Sequence, residues 1–225
     1  MKAQDYYRLY TPRQVDLSDI PKSRVFKTVE LVTKDNPTKI LDVGCGSGVI
    51  PQLFKKRDNE VVGIEINEEQ GNIASKKLDN IIIQDAEEKW NIPDIYFDVV
   101  HMGAFLEHIF DYHHALSEAN RVLKLGEVVV ISLPKGACLR DRFRIFCGKQ
   151  PKWYEDIHHI RFWTKNWLKE HLKNHGFSNI RIIGDGFLIE GLIRYNFNIV
   201  DMMLNFIEHS TSSFPNPHSK TRTPK

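Results

Sequence analysis

Three acids and three glycines at regular intervals carry most of the chemistry this sequence offers. In Ile40-Leu41-Asp42-Val43-Gly44-Cys45-Gly46-Ser47-Gly48 an apolar run leads into glycines at alternate positions, and Val49, Leu53 and Phe54 follow at helical spacing. Glycines at a strand-to-helix turn let the chain bend sharply and let a ligand approach backbone amides at a helix N-terminus. Glu65 closes a second apolar run, about 20 residues after Gly44, the separation at which an acid holds ribose hydroxyls. Asp85 closes a third run, with Ala86 beside it. In open α/β sheets, acids at the carboxyl ends of strands sit where ligands bind.

The residues around the loop select its ligand. A dinucleotide fingerprint needs one more glycine where Val49 stands, and a phosphate loop needs a Gly-Lys-Ser/Thr that is absent. Asp42 would repel a pyrophosphate, yet it suits an ammonium group. A nucleoside with a positively charged tail and no phosphate meets both conditions, and S-adenosylmethionine is that molecule. Methyl transfer from its sulfonium is an in-line displacement for which a protein supplies alignment and a dry cleft. His108, after a fourth apolar run, and the pair His158 and His159 are the candidate general bases for a hydroxyl acceptor. Glu107 is a weaker candidate beside them and reads more readily as a solvated or capping acid. Ten histidines raise the question of a metal, but no pair has a carboxylate or cysteine partner at a recognised zinc spacing, so none is expected.

These residues need a scaffold, and the pattern predicts an α/β one. Short β-branched runs at Lys39–Val43, Val61–Ile64, Ile81–Gln84, Phe97–His101, Val128–Leu133 and Ile180–Gly184 alternate with helical stretches at Lys22–Thr33, His114–Lys124 and Thr164–His175. Unbroken apolar strands indicate a mostly parallel sheet covered by helices on both faces. The 225 residues, 41% hydrophobic and 27% charged, suffice for one enlarged domain. A net charge of +2 gives no electrostatic footprint for nucleic acid. Cys45, Cys138 and Cys147 lack CxxC spacing, and neither a secretory leader nor a membrane-spanning run is visible, so a cytoplasmic protein is expected.

Two segments depart from the alternation. Residues 134–163 hold seven basic residues against three acidic ones, interleaved with six aromatics, and are too long for a structureless loop. That composition suits a segment over the acceptor, with Arg140 and Arg144 available to an anionic group. Residues 187–208 carry a narrow polar stripe (Glu190, Arg194, Asn198, Asp201, Asn205, Glu208) on an otherwise apolar surface, which predicts a C-terminal amphipathic helix spanning about 185–209. Such a helix packs on its own domain, pairs two copies or touches a membrane surface. Residues 210–225 read as a flexible tail, and Tyr7, Tyr10 and Arg13 as a lid over the cofactor.

The order of these motifs resembles the class I S-adenosylmethionine-dependent methyltransferases, over about residues 20–184. Ile40–Gly48 looks like their first motif. Val61-Val62-Gly63-Ile64-Glu65-Ile66 resembles the second, which implies that Glu65 binds the ribose and Ile66 lies on the adenine. Ile83-Gln84-Asp85-Ala86 resembles the third, at the adenine amino group. Phe97–Met102 with Phe105–Ile109 resembles the fourth strand and the helix after it, which places His101 at the cofactor. The resemblance implies a Rossmann-like sandwich and, in residues 1–184, a methyltransferase acting on a small-molecule, sugar or lipid-linked acceptor. Residues 133–164 are also similar to a methionine-biosynthesis accessory branch, whose members work with a partner enzyme. Two departures stand out: Glu127 replaces a usual second glycine after Gly126, and the expected seventh strand is visible only if Tyr195–Val200 supplies it.

Overall fold

The computed structural model describes residues 16–20, 22–33, 38–56, 58–134, 138–156, 158–184 and 197–202. Seven strands form one sheet in the order β3-β2-β1-β4-β5-β7-β6. They are β1 (Lys39–Val43), β2 (Glu60–Glu65), β3 (Asn80–Ile83), β4 (Phe97–Gly103), β5 (Leu123–Pro134), β6 (Ile183–Gly184) and β7 (Phe197–Met202). The first five run parallel, and β7 lies antiparallel between β5 and β6.

Side chains alternate along the central strands and feed two cores. Leu41, Val43, Val100 and Met102 pack with α3 (Tyr112–Val122) and α5 (Lys165–Asn174) through Leu116, Ala119, Leu168 and Leu172. Ile40, Val61, Val99 and Val130 pack on the other face with α1 (Lys22–Val32) and α2 (Glu68–Ala74) through Val32 and Ala74. Burial on both faces explains why these strands read as continuous apolar runs. Helix starts are fixed by side chains: Asn67 caps α2, Asp111 caps α3 and Thr164 caps α5, each accepting a hydrogen bond from the first turn.

Three expectations need correction. Phe197–Met202 is strand β7, so a helix does not run through residues 187–208. The seventh strand is present, two residues later than Tyr195–Val200. Its backbone takes the ladder offered by the edge of β5, with Val129 opposite Met202 and Pro134 opposite Phe197, and so covers an edge that would otherwise lie open to pairing. Residues 185–196 and 203–225, like Tyr7, Tyr10 and Arg13, lie outside the described residues. After the glycine loop the chain makes only a 3-10 turn at Pro51–Phe54. The Asn59 side chain takes the Phe54 carbonyl and ends that turn. Strand β5 begins at Leu123 rather than Val128, and Gly126 at φ +79° sits where its register against β4 shifts.

The segment after β5 carries structure of its own, as its length implied: α4 (Leu139–Phe146) and a 3-10 turn at Lys152–Glu155. Asp141, buried, accepts the Lys152 amide at 2.9 Å and the Cys138 thiol at 3.2 Å, tying the two pieces together. Leu139, Phe143, Ile145 and Phe146 stay largely exposed.

Candidate functional site

The parallel register aligns the carboxyl ends of β1, β2 and β4, and the sequence places a polar side chain at each. Asp42 stands beside Gly63 on one side and His101 on the other. Gly44, Gly46 and Gly48 all adopt positive φ (+73°, +54° and +75°), which other residues reach only with strain. A Cβ on Gly44 would meet the Phe105 ring at 2.6 Å, whereas one on Gly46 would meet nothing within 4 Å. Gly46 therefore opens onto free space, and its amide is aimed inward.

That amide donates to Glu65 Oε2 at 2.8 Å, while Glu65 Oε1 accepts the Asn67 amide at 2.9 Å. Glu65 thus joins the glycine loop to the start of α2. Burial raises its pKa above the ordinary carboxylate value, against the pull of the amides. Asp42 and His101 are both buried, and His101 Nδ1–H donates to Asp42 Oδ1. The His101 ring stands edge-on to Phe54, and a Cβ on Gly103 would strike it at 2.5 Å. Its Nε2 is buried without a hydrogen-bond partner among the described residues. Burial pushes the Cys45 thiol up, so it stays protonated and unreactive.

A cavity of about 570 Å³ opens over this row of strand ends. Its wall includes Asp42, Gly44, Cys45, Gly46, Glu65, Ile66, Asp85, Ala86 and His101, so nine residues assigned to the cofactor from sequence face one space. Gly48 does not line it, and packs against Ala74 instead. Of the candidate bases, His108 and His158 line the cavity and His159 does not. His159 packs against His108 with ring centroids 4.9 Å apart and planes tilted by 48°. Burial lowers the pKa of His108 to about 4, so its ring is uncharged at neutral pH. Its Nδ1–H donates to the His158 carbonyl at 3.2 Å, which directs the ring's lone pair to Nε2.

Arg24 was not found from sequence, and Glu107, Arg140 and Arg144 lie elsewhere than expected. Arg24, in α1, lines the cavity and donates to Ser132 Oγ at 3.0 Å. Only its place on an amphipathic helix was legible, because its partner is 108 residues away. Glu107, read as solvated, is buried, and burial pushes its pKa up to about 8. Arg140 and Arg144 do not line the cavity; Arg144 donates to the Gln150 carbonyl on the exposed segment.

Fold and pocket together define the class: the Rossmann-like, S-adenosylmethionine-dependent methyltransferases. The chain belongs to the methyltransferase domain family, whose sequence profile matches residues 18–182. It is 30% identical over 135 residues to a demethylmenaquinone methyltransferase of Thermotoga maritima, covering 57% of this chain and 56% of that one. A ubiquinone biosynthesis O-methyltransferase of Psychrobacter arcticus is 30% identical over 102 residues, covering 42% of this chain and 40% of the other. The chain thus spans about half the length of these curated relatives. Among solved structures, a SAM-dependent methyltransferase from Archaeoglobus fulgidus superposes with a TM-score of 0.62 at 22% identity, over 80% of this chain and 91% of that one. At that identity the likeness is one of fold.

S-adenosylmethionine is the family's cofactor, and the residues present suit it. Asp42, Glu65 and Asp85 give the wall above the loop a row of carboxylates, a poor setting for a phosphate and a good one for a cation and two hydroxyls. The open space at Gly46 leaves room for a ligand against the backbone.

Proposed function

We propose that this chain transfers the methyl group of S-adenosylmethionine to a small, largely apolar, quinone-like acceptor. One observation carries the reading: a single cavity runs from the glycine loop and Glu65 to His108 and His158, with Ile20, Val25, Phe105 and Ile109 also on its wall. Its volume lies within the roughly 300–1,000 Å³ typical of small-molecule sites. The relatives named for demethylmenaquinone and for ubiquinone biosynthesis support an acceptor of that kind.

Within this reading Glu65 accepts the ribose hydroxyls, Ile66 covers the adenine, and Asp85 with Ala86 borders its amino edge. Asp42, oriented by His101, sets a negative potential near the ammonium group, and Arg24 offers a cation to the carboxylate. The bound sulfonium supplies the electrophilic methyl group. The chain contributes alignment and exclusion of water, with the first turns of α1 closing over the cavity and His108 bordering the acceptor side.

Calorimetric titration with S-adenosylmethionine, followed by transfer of labelled methyl to soluble quinol analogues, tests this. Micromolar binding that Glu65→Ala and Asp42→Ala each weaken by about 10- to 100-fold is expected from the loss of charged hydrogen bonds. Well-folded protein that binds no cofactor, or that binds it and methylates no quinol analogue, sinks the reading.

A further inference from the structure

A second constellation lies behind His108. Glu107 follows β4, is 1% exposed, and neither of its carboxylate oxygens has a hydrogen-bond partner among the described residues. A buried carboxyl group left without hydrogen-bond partners is costly, and either a proton or a bound cation relieves the charge. His108 and His159 flank it, and one ligand atom from each of the three residues lies within 4.8 Å of the other two. His108 Nε2 stands 4.0 Å from Glu107 Oε1.

Both imidazoles are held in the tautomer that a metal ligand requires. His108 Nδ1–H donates to the His158 carbonyl at 3.2 Å, and His159 Nδ1–H donates to the Trp153 carbonyl at 2.6 Å. Each ring therefore presents its lone pair on Nε2. Donation of the second ring nitrogen to a carbonyl or carboxylate is the usual outer support of a metal-bound histidine. The Ile160 amide donates to the Glu107 carbonyl at 3.0 Å, so the segment carrying His159 is already fastened to the loop carrying Glu107. The histidines on α3 and α5 differ in what their other nitrogen meets: His175 Nδ1–H donates to the His171 carbonyl at 2.6 Å, but its Nε2 is already taken by His113 Nδ1 at 3.1 Å.

We propose that Glu107, His108 and His159 bind one divalent transition-metal ion, with zinc the best match to two imidazoles and a carboxylate. Zinc bonds of about 2.0–2.1 Å put tetrahedral ligand atoms roughly 3.3 Å apart, so the three side chains close inward by about 1 Å on binding. Three protein ligands leave a fourth position for water or an acceptor oxygen, and His108 already lies on the cavity wall. The site stands whichever acceptor the enzyme takes. Sequence spacing could not show it, because His159 is 52 residues from Glu107.

The test uses the full chain stripped with a chelator and titrated with Co²⁺, whose visible absorption reports its ligands, then with Zn²⁺ in competition. One Co²⁺ per chain, displaced by Zn²⁺, is expected, and binding should weaken by more than about 100-fold in His159→Ala and in Glu107→Gln. The partly exposed His159 makes His159→Ala the variant that keeps its fold, checked by circular dichroism and by retained cofactor binding. His113→Ala should bind as the wild type does. Absence of stoichiometric binding in the wild type, binding that survives His159→Ala, or binding lost in His113→Ala overturns the proposal.

Discussion

The two ends of the cavity are built differently. At the proposed cofactor end every side chain but Arg24 belongs to a strand end or to the loop directly after it. The register sets Asp42 beside His101, and Glu65 ends the neighbouring strand one residue beyond its last pair with β1. At the acceptor end the parts come from distant stretches: His108 meets His158 across 50 residues through a hydrogen bond to a carbonyl, and the Ile160 amide reaches back to the Glu107 carbonyl. A site fixed by parallel pairing cannot shift without breaking the sheet. A site fixed by side chains on connecting segments can be rebuilt to suit another acceptor while the cofactor end stays the same.

If that contrast holds, damage at the glycine loop should be large and should reach both stability and cofactor binding. Gly44→Ala forces an L residue into φ +73° and drives a Cβ to 2.6 Å from Phe105, itself on the cavity wall. The strain alone costs about 1–2 kcal/mol, and displacement of the ring adds to it. At about 2–4 °C per kcal/mol for a chain of this size, the strain should lower the midpoint of thermal unfolding by roughly 2–8 °C. Calorimetric affinity for S-adenosylmethionine should drop in parallel. Gly46→Ala, whose Cβ meets nothing, should cost stability less while still obstructing the ligand. Equal destabilisation by the two variants would break the comparison.

The same contrast explains how much could be read beforehand. The parallel order of five strands, the glycine loop and Glu65 were legible because each is a local signal: an apolar run, a turn residue and an acid at a fixed offset. The strand after residue 196 was not, because its polar residues repeat at helical intervals and only the edge of β5 decides for a strand. Arg24 gave no signal beyond its helix. Glu107 was misread as solvated because no sequence pattern reports that Ile160 and the residues before it fold down over it. His158 and His159 are neighbours, yet one faces the cavity and the other packs behind His108. A choice between adjacent residues in a non-repeating segment lies below what periodicity resolves.

A smaller effect should appear with pH at the cofactor end. Burial raises the pKa of Glu65, so the folded chain holds that proton more tightly than the unfolded chain does. In the window from the ordinary value of 4.5 upward to the raised value, the native state binds more protons, and this residue's contribution to stability falls as pH rises. Cofactor binding runs the other way, because ribose hydroxyls donate to the carboxylate and not to the acid. Affinity for S-adenosylmethionine should therefore increase with pH through the same window, by at most about tenfold per pH unit. Glu65→Gln should bind weakly throughout and lose both slopes. A wild-type affinity that is flat across the window would remove Glu65 from the ribose.

The least effect belongs to the basic residues on α4. Arg140 and Arg144 suggested an anion site, but neither lines the cavity, and Arg144 is taken up by the Gln150 carbonyl at 2.6 Å. Arg140 lies 3.6 Å from the buried Asp141, an ion pair at the edge of solvent. Exposed pairs of that kind contribute about 0–1 kcal/mol. The double variant Arg140→Ala, Arg144→Ala should thus leave the unfolding midpoint within about 4 °C of wild type. With a soluble acceptor its KM and kcat should stay within a factor of about two, since neither residue lines the cavity. A KM rise of tenfold or more would mean that α4 closes over the acceptor during turnover. The acceptor end would then be a mobile wall rather than a fixed one, and its difference from the sheet-bound cofactor end would be larger than the static geometry displays.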